Sequence, residues 1–208
     1  MNISASPSLR WFAAGLVLML ASCGIVPEKT EISVYHLQPS VQADAGWPHV
    51  DTQLVVLRPN AERLVNSARI MVRPTPGEVQ VYKGATWSQP APDILQDAIV
   101  RTLEDSRKLA GVTRRGGGIA GDFDLALDIR RFDADYAGGG TPSAVIEVSA
   151  NLIHNDDNRV VATQTFRHAT PAGSTAIVDV HRAFEQSLSD VTRDISGWTL
   201  THMQRAGR

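Results

Sequence analysis

Hydrophobic and polar positions change period several times along these 208 residues. Leu54-Val55-Val56-Leu57 is a continuous apolar run of strand length closed by Pro59, the pattern of a strand buried on both faces. Ile32, Val34 and Tyr35-His36-Leu37 give an earlier strand, and Pro39 to Pro48 a loop. Arg69–Val72 and Glu78–Tyr82 are two short strands separated by Pro74, Pro76 and Gly77. Pro90-Ala91-Pro92-Asp93 then starts a helix whose Leu95, Ile99 and Leu103 recur every four residues and which stops before Gly111.

The second half reads as a meander and a helix. Phe123, Leu125, Leu127 and Ile129 alternate with Asp122, Asp124, Ala126 and Asp128, a strand with one wet face. Phe132 falls on the wrong parity after Arg130-Arg131, which predicts a bulge or an early strand end there. Ile146–Leu152 and Val160–Phe166 continue an antiparallel meander through a turn at Asn155–Asn158. The chain closes with a helix in which Ile177, Phe184, Val191 and Trp198 recur every seven residues, with Leu188 and Ile195 between them. Ser174 or Thr175 is its expected cap. The stripe is expected to pack on the protein's own sheet rather than on a partner helix. The predicted fold is therefore a single α/β domain of the α+β kind: a mostly antiparallel sheet backed by two main helices, the longer one C-terminal.

The N-terminus follows a different logic. Arg10, the apolar run Trp11–Leu20 and a small-residue site have the three parts of a bacterial secretory signal. A membrane-spanning helix needs about 20 apolar residues, and this run falls well short. Leu20-Ala21-Ser22-Cys23 resembles a lipobox, and Cys23 is the only cysteine of the chain. That resemblance implies cleavage between Ser22 and Cys23, acylation of Cys23, and a mature chain held by three fatty chains. Two chains already anchor a protein stably. Gly24 in place of Asp implies passage to the outer membrane. The expected organisation is a signal peptide at 1–22, a lipidated N-terminus and linker at 23–29, and one domain at 30–204.

Charge and composition narrow the chemistry. The mature chain carries 19 basic and 22 acidic residues, a net charge of about −3. It has no Lys/Arg run, which argues against nucleic acid and against recognition of anionic headgroups. Gly116-Gly117-Gly118-Ile119-Ala120-Gly121 matches a dinucleotide fingerprint by letters, but a strand pattern follows it where a helix would be needed. The six histidines include no pair at the helical spacing of a zinc site, and no G-x-S-x-G elbow is present. Asp122, Asp124 and Asp128 read as a solvated strand face rather than a calcium site. No catalytic residue, metal site or cofactor is predicted.

The order of short motifs carries a family resemblance. Leu54-Val55-Val56-Leu57-Arg58-Pro59, Ala68-Arg69-Ile70, Val81 to Pro90 with Tyr82 and Trp87, and Asp93 to Ile99 with Leu95-Gln96 follow Tyr35-His36-Leu37 and the lipobox. This series resembles the ABC-type transport auxiliary lipoproteins, which include the paraquat-inducible protein C type. The resemblance implies a non-enzymatic partner of a transporter built from an ATPase, a permease and a periplasmic MCE-domain protein that binds lipid. Such systems move phospholipid or other hydrophobic cargo between the inner and outer membranes. The lipoprotein would dock the MCE protein at the periplasmic face of the outer membrane. Tyr82 and Trp87, read as flanking a turn, are the candidate partner contacts, since aromatics are favoured interface anchors; for Trp87, packing on the sheet and the following helix is the stronger reading. Self-association stays open. The rival readings are a structural scaffold lipoprotein of another envelope assembly and a lipid-anchored envelope hydrolase.

Overall fold

A computed structural model describes residues 31–118 and 120–207. The signal segment, Ser22 and Cys23 lie outside the described residues. The described chain contains β1 (Ser33–Tyr35), β2 (Val50–Val56), β3 (Asn60–Ala61), β4 (Arg69–Arg73), β5 (Gln80–Trp87), α1 (Ala91–Ser106), β6 (Leu109–Arg114), β7 (Phe123–Asp135), β8 (Ser143–His154), β9 (Arg159–Pro171) and α2 (Ile177–Ala206).

The strands join one mixed sheet in which β7 is the hub. It pairs β8 antiparallel along its length and takes β2, β3 and β4 as short parallel neighbours on its other side. β8 pairs β9 antiparallel, and β1 and β6 are parallel additions to β5 and β2. The antiparallel ladders hold most of the paired residues, as the alternating sequence of the second half demands. The two helices pack on each other and share one core with the sheet, so they cover the same face. The result is a single α+β domain with two helices, the longer one C-terminal.

The parity slip at Phe132 is a bulge. The β7–β8 register shifts between Ile129 and Arg131, which adds Arg130 to the strand and returns Phe132 and Ala134 to the core beside Leu125, Leu127 and Ile129. The strand then continues to Asp135 instead of ending early. The apolar stripe of α2 packs on the sheet: Val180, Phe184, Leu188, Val191 and Ile195 are fully buried, each such side chain contributing about 1.5–3 kcal/mol relative to exposure. Its N-cap is Ala176 rather than Ser174 or Thr175, with no side-chain capping bond. Ser174 instead donates to Asp179 at 2.6 Å and accepts from the Ala176 N–H at 3.0 Å. A strand absent from the sequence reading, β6, follows α1 directly and is held in that state by pairing with β2.

Candidate functional site

The helix-free face of the sheet is polar and closed by ion pairs. Alternation along β7 sends Asp124, Asp128, Arg131, Asp133 and Asp135 to this side. The expected wet face is only partly wet: Asp124 is 8% exposed and Asp133 5%. Asp124 pairs with Arg115 and accepts from the Asn155 amide at 3.1 Å, so burial is compensated by a charge and a hydrogen bond. Arg131 donates to Asp133 at 2.6 Å and to Asp135 at 2.7 Å. The hydrogen bond to Asp133 is the main reason its guanidinium is held even more firmly protonated than usual, against the opposing effect of burial. Burial alone would push the Asp135 carboxyl up. Hydrogen bonds from Arg131 and the Ala137 N–H, with the charges of Arg131 and Arg73, outweigh it and hold the carboxyl below its ordinary range.

Tyr82 and Trp87 do not flank a turn; both lie on β5. Gly84, at φ +73°, and a register shift between Arg69 and Met71 break the alternation between them, so both rings lean toward the helix side of the sheet. Trp87 is only 2% exposed. Its ring meets Phe132 at 6.3 Å and Phe184 at 5.1 Å, both edge to face. The indole packs within the core, the stronger of the two readings of Trp87. Tyr82 is half-buried, and its hydroxyl lies 3.4 Å from that of Tyr136. Burial first, and that hydrogen bond second, push its phenol well above the ordinary tyrosine range. Tyr82 is therefore the member of the pair with an accessible face.

Open grooves mark the described surface, three of them of similar size. One of about 360 Å³ is lined by His36, Gln89, Asp97 and Arg101. In it the His36 ring nitrogen Nδ1 lies 2.8 Å from the Ser88 hydroxyl. A serine nucleophile needs its base oriented by a third group, and among the described residues no carboxylate bonds His36. Asp97 is instead tied to Arg114 at 2.6 Å and Gln89 at 3.2 Å. A second groove, of about 350 Å³, lies between Trp47 and Trp198, and a third, of about 430 Å³, beside Arg73 and Arg131. Among the described residues no group of three His, Cys, Asp or Glu side chains is placed to hold a metal, and no helix is long and apolar enough to cross a membrane. The glycine-rich loop 116–121 leads into β7, a strand, so no helix N-terminus meets it.

Residues 35–196 match the family described as the ABC-type transport auxiliary lipoprotein component. This chain belongs to that family. The match runs from the last residue of β1 about two-thirds of the way along α2, and so takes in every strand that builds the polar face. The fold agrees with protein XCC0632 of Xanthomonas campestris, a DUF330 protein: 48% identity, a TM-score of 0.82, and coverage of 84% of this chain and 98% of that one. Hypothetical protein CT253 of Chlamydia trachomatis shares the fold at 10% identity and a TM-score of 0.51, over 74% of this chain and 98% of that one. The uncharacterized protein bll6063 of Bradyrhizobium diazoefficiens is 20% identical over 73% of this chain, which spans only 40% of that protein's length. As an auxiliary lipoprotein component of an ABC-type transport system, the chain is anchored to a membrane of the envelope, and the family role implies a non-enzymatic part.

Proposed function

We propose that this chain is the outer-membrane end of an MCE-type transport system that moves phospholipid or other hydrophobic cargo between the two membranes. The observation that carries the reading is the family match over residues 35–196. The signal at 1–22 is removed between Ser22 and Cys23, Cys23 carries the acyl chains, residues 23–29 form a linker, and residues 30–204 form the working domain. Gly24 after the acylated cysteine supports transfer to the outer membrane, on whose periplasmic face the domain stands. It docks the periplasmic MCE-domain protein and, through it, the permease and ATPase.

The docking surface includes Tyr82, on the strand that Trp87 fixes to the core through Phe132 and Phe184. An auxiliary subunit needs a rigid, specific surface more than a reactive pocket, and Tyr82, half-buried with its hydroxyl beside that of Tyr136, suits that task.

The test is crosslinking of the acylated protein in intact envelopes, followed by mass spectrometry of what it captures. Recovery of an MCE-domain protein with its permease or ATPase is the expected result. Recovery of peptidoglycan-bound or unrelated outer-membrane proteins alone would move the assignment to a structural scaffold.

A further inference from the structure

Ile32 and Val34 are the most exposed large apolar side chains of the described chain, at 66% and 65%. They alternate with Tyr35, which packs on the helix side against His181 with ring centroids 5.5 Å apart. Both therefore project from the helix-free side of β1. β1 is an edge strand, paired only with β5 through Ser33–Ala85, Val34–Thr86 and Tyr35–Trp87. Isolated exposed apolar residues are ordinary on a protein surface. What distinguishes this pair is its distance along the chain from Cys23: nine residues to Ile32 and eleven to Val34.

A fully extended chain rises at most about 3.6 Å per residue, so acylated Cys23 holds Ile32 within about 30 Å of the bilayer. The tether removes the cost of bringing the two together, and a weak contact then operates at high effective concentration. The described charges beside the strand are few: Glu31, Lys83, and Arg69, which pairs Thr86, the partner of Val34. With no more than one net positive charge among them, a contact made here draws chiefly on apolar burial.

We infer that Ile32 and Val34 seat the β1 edge in the lipid surface, a second, non-covalent membrane contact that fixes how the tethered domain stands on the bilayer. The inference rests on acylation of Cys23. With β1 on the lipid, the turn between β8 and β9 is held away from it. That turn lies at the Phe123 end of β7, where Phe123 pairs His154, while β4 joins the other end, where Met71 pairs Asp133.

The test uses the full acylated protein in phosphatidylcholine vesicles, with acylation of Cys23 read by mass spectrometry. Val34→Cys supplies a thiol for an environment-sensitive fluorophore, and Asp156→Cys on the exposed β8–β9 turn is the control. Nitroxide-labelled phosphatidylcholine is expected to quench the label at 34 more than at 156, and aqueous iodide to do the reverse. Ile32→Asp in the Val34→Cys background is expected to lose most of that difference, while the result is unchanged in anionic vesicles. With Cys23 acylated, equal access of iodide to both labels would overturn the inference alone. Shielding of position 34 from both quenchers would also overturn it, because a protein would then cover the strand. A chain without acyl groups on Cys23 would overturn the anchoring reading and this inference together.

Discussion

Trp87 at the end of β5 and Phe184 in α2 meet edge to face with ring centroids 5.1 Å apart, and Phe184 stacks in turn on Phe132 of β7 at 5.3 Å. This aromatic triple joins β5 to the hub strand of the sheet and to the long helix. Trp87→Ala is expected to cost about 3–5 kcal/mol, the range for truncating a buried aromatic, and Trp87→Phe distinctly less. Urea unfolding followed by circular dichroism measures both. A cost near zero for Trp87→Ala would mean that the indole faces solvent or a partner.

Much of this core was legible in advance because burial imposes periodicity. The run Leu54–Val56 is buried on both faces of the sheet, and the seven-residue stripe from Phe184 to Ile195 lies on it. Even the bulge at Arg130 was visible, as a parity error at Phe132. What stayed hidden depends on partners distant in sequence. β6 carries Gly111 and little alternation, and only β2 makes it a strand. Asp124 looks solvated until Arg115 and Asn155 are brought beside it. Tyr82 and Trp87 look like a turn pair because a single left-handed glycine, Gly84, alters the alternation between them. The candidate site suffered most, since interface aromatics and core aromatics have the same letters.

Gly197 and Trp47 give a prediction whose sign reverses. A Cβ added at Gly197 would stand 2.6 Å from the Trp47 indole nitrogen, so Gly197→Ala displaces the loop tryptophan from α2. Alanine is otherwise favoured over glycine within a helix by about 0.8–1 kcal/mol. Gly197→Ala is expected to destabilise the natural chain and to stabilise a Trp47→Ala variant. Thermal unfolding of the four proteins in that cycle measures the coupling, and equal effects in both backgrounds would show that the ring does not rest on Gly197.

Asp135 ties stability to acid. Its carboxyl titrates below the ordinary value because Arg131, Arg73 and the Ala137 N–H favour the charged form over the opposing effect of burial. A depressed folded-state value means that the stabilisation is present above the unfolded value of about 3.9 and is lost as pH falls through the folded one. Asp135→Asn is expected to lower stability at neutral pH and to flatten the decline on acidification. Urea midpoints across that range measure the slope, and an unchanged slope would show that Arg131 is satisfied by Asp133 alone.

Cys23 separates folding from location. The core draws its residues from Leu37 to Met203, so Cys23→Ala is expected to leave the domain's unfolding transition where it was. The same change removes every acyl chain, and with it about 0.8 kcal/mol for each methylene that would have been buried in lipid. The apolar edge at Ile32 and Val34 is too small to hold the domain on the membrane unaided, since even a single myristoyl chain binds only marginally. The variant is therefore expected in the soluble periplasmic fraction, folded but unable to complement loss of the natural protein, because the dock no longer stands at the membrane that receives the cargo. Fractionation, circular dichroism and complementation read the three consequences separately. A soluble, folded variant that complements fully would leave the fold intact and remove the docking role.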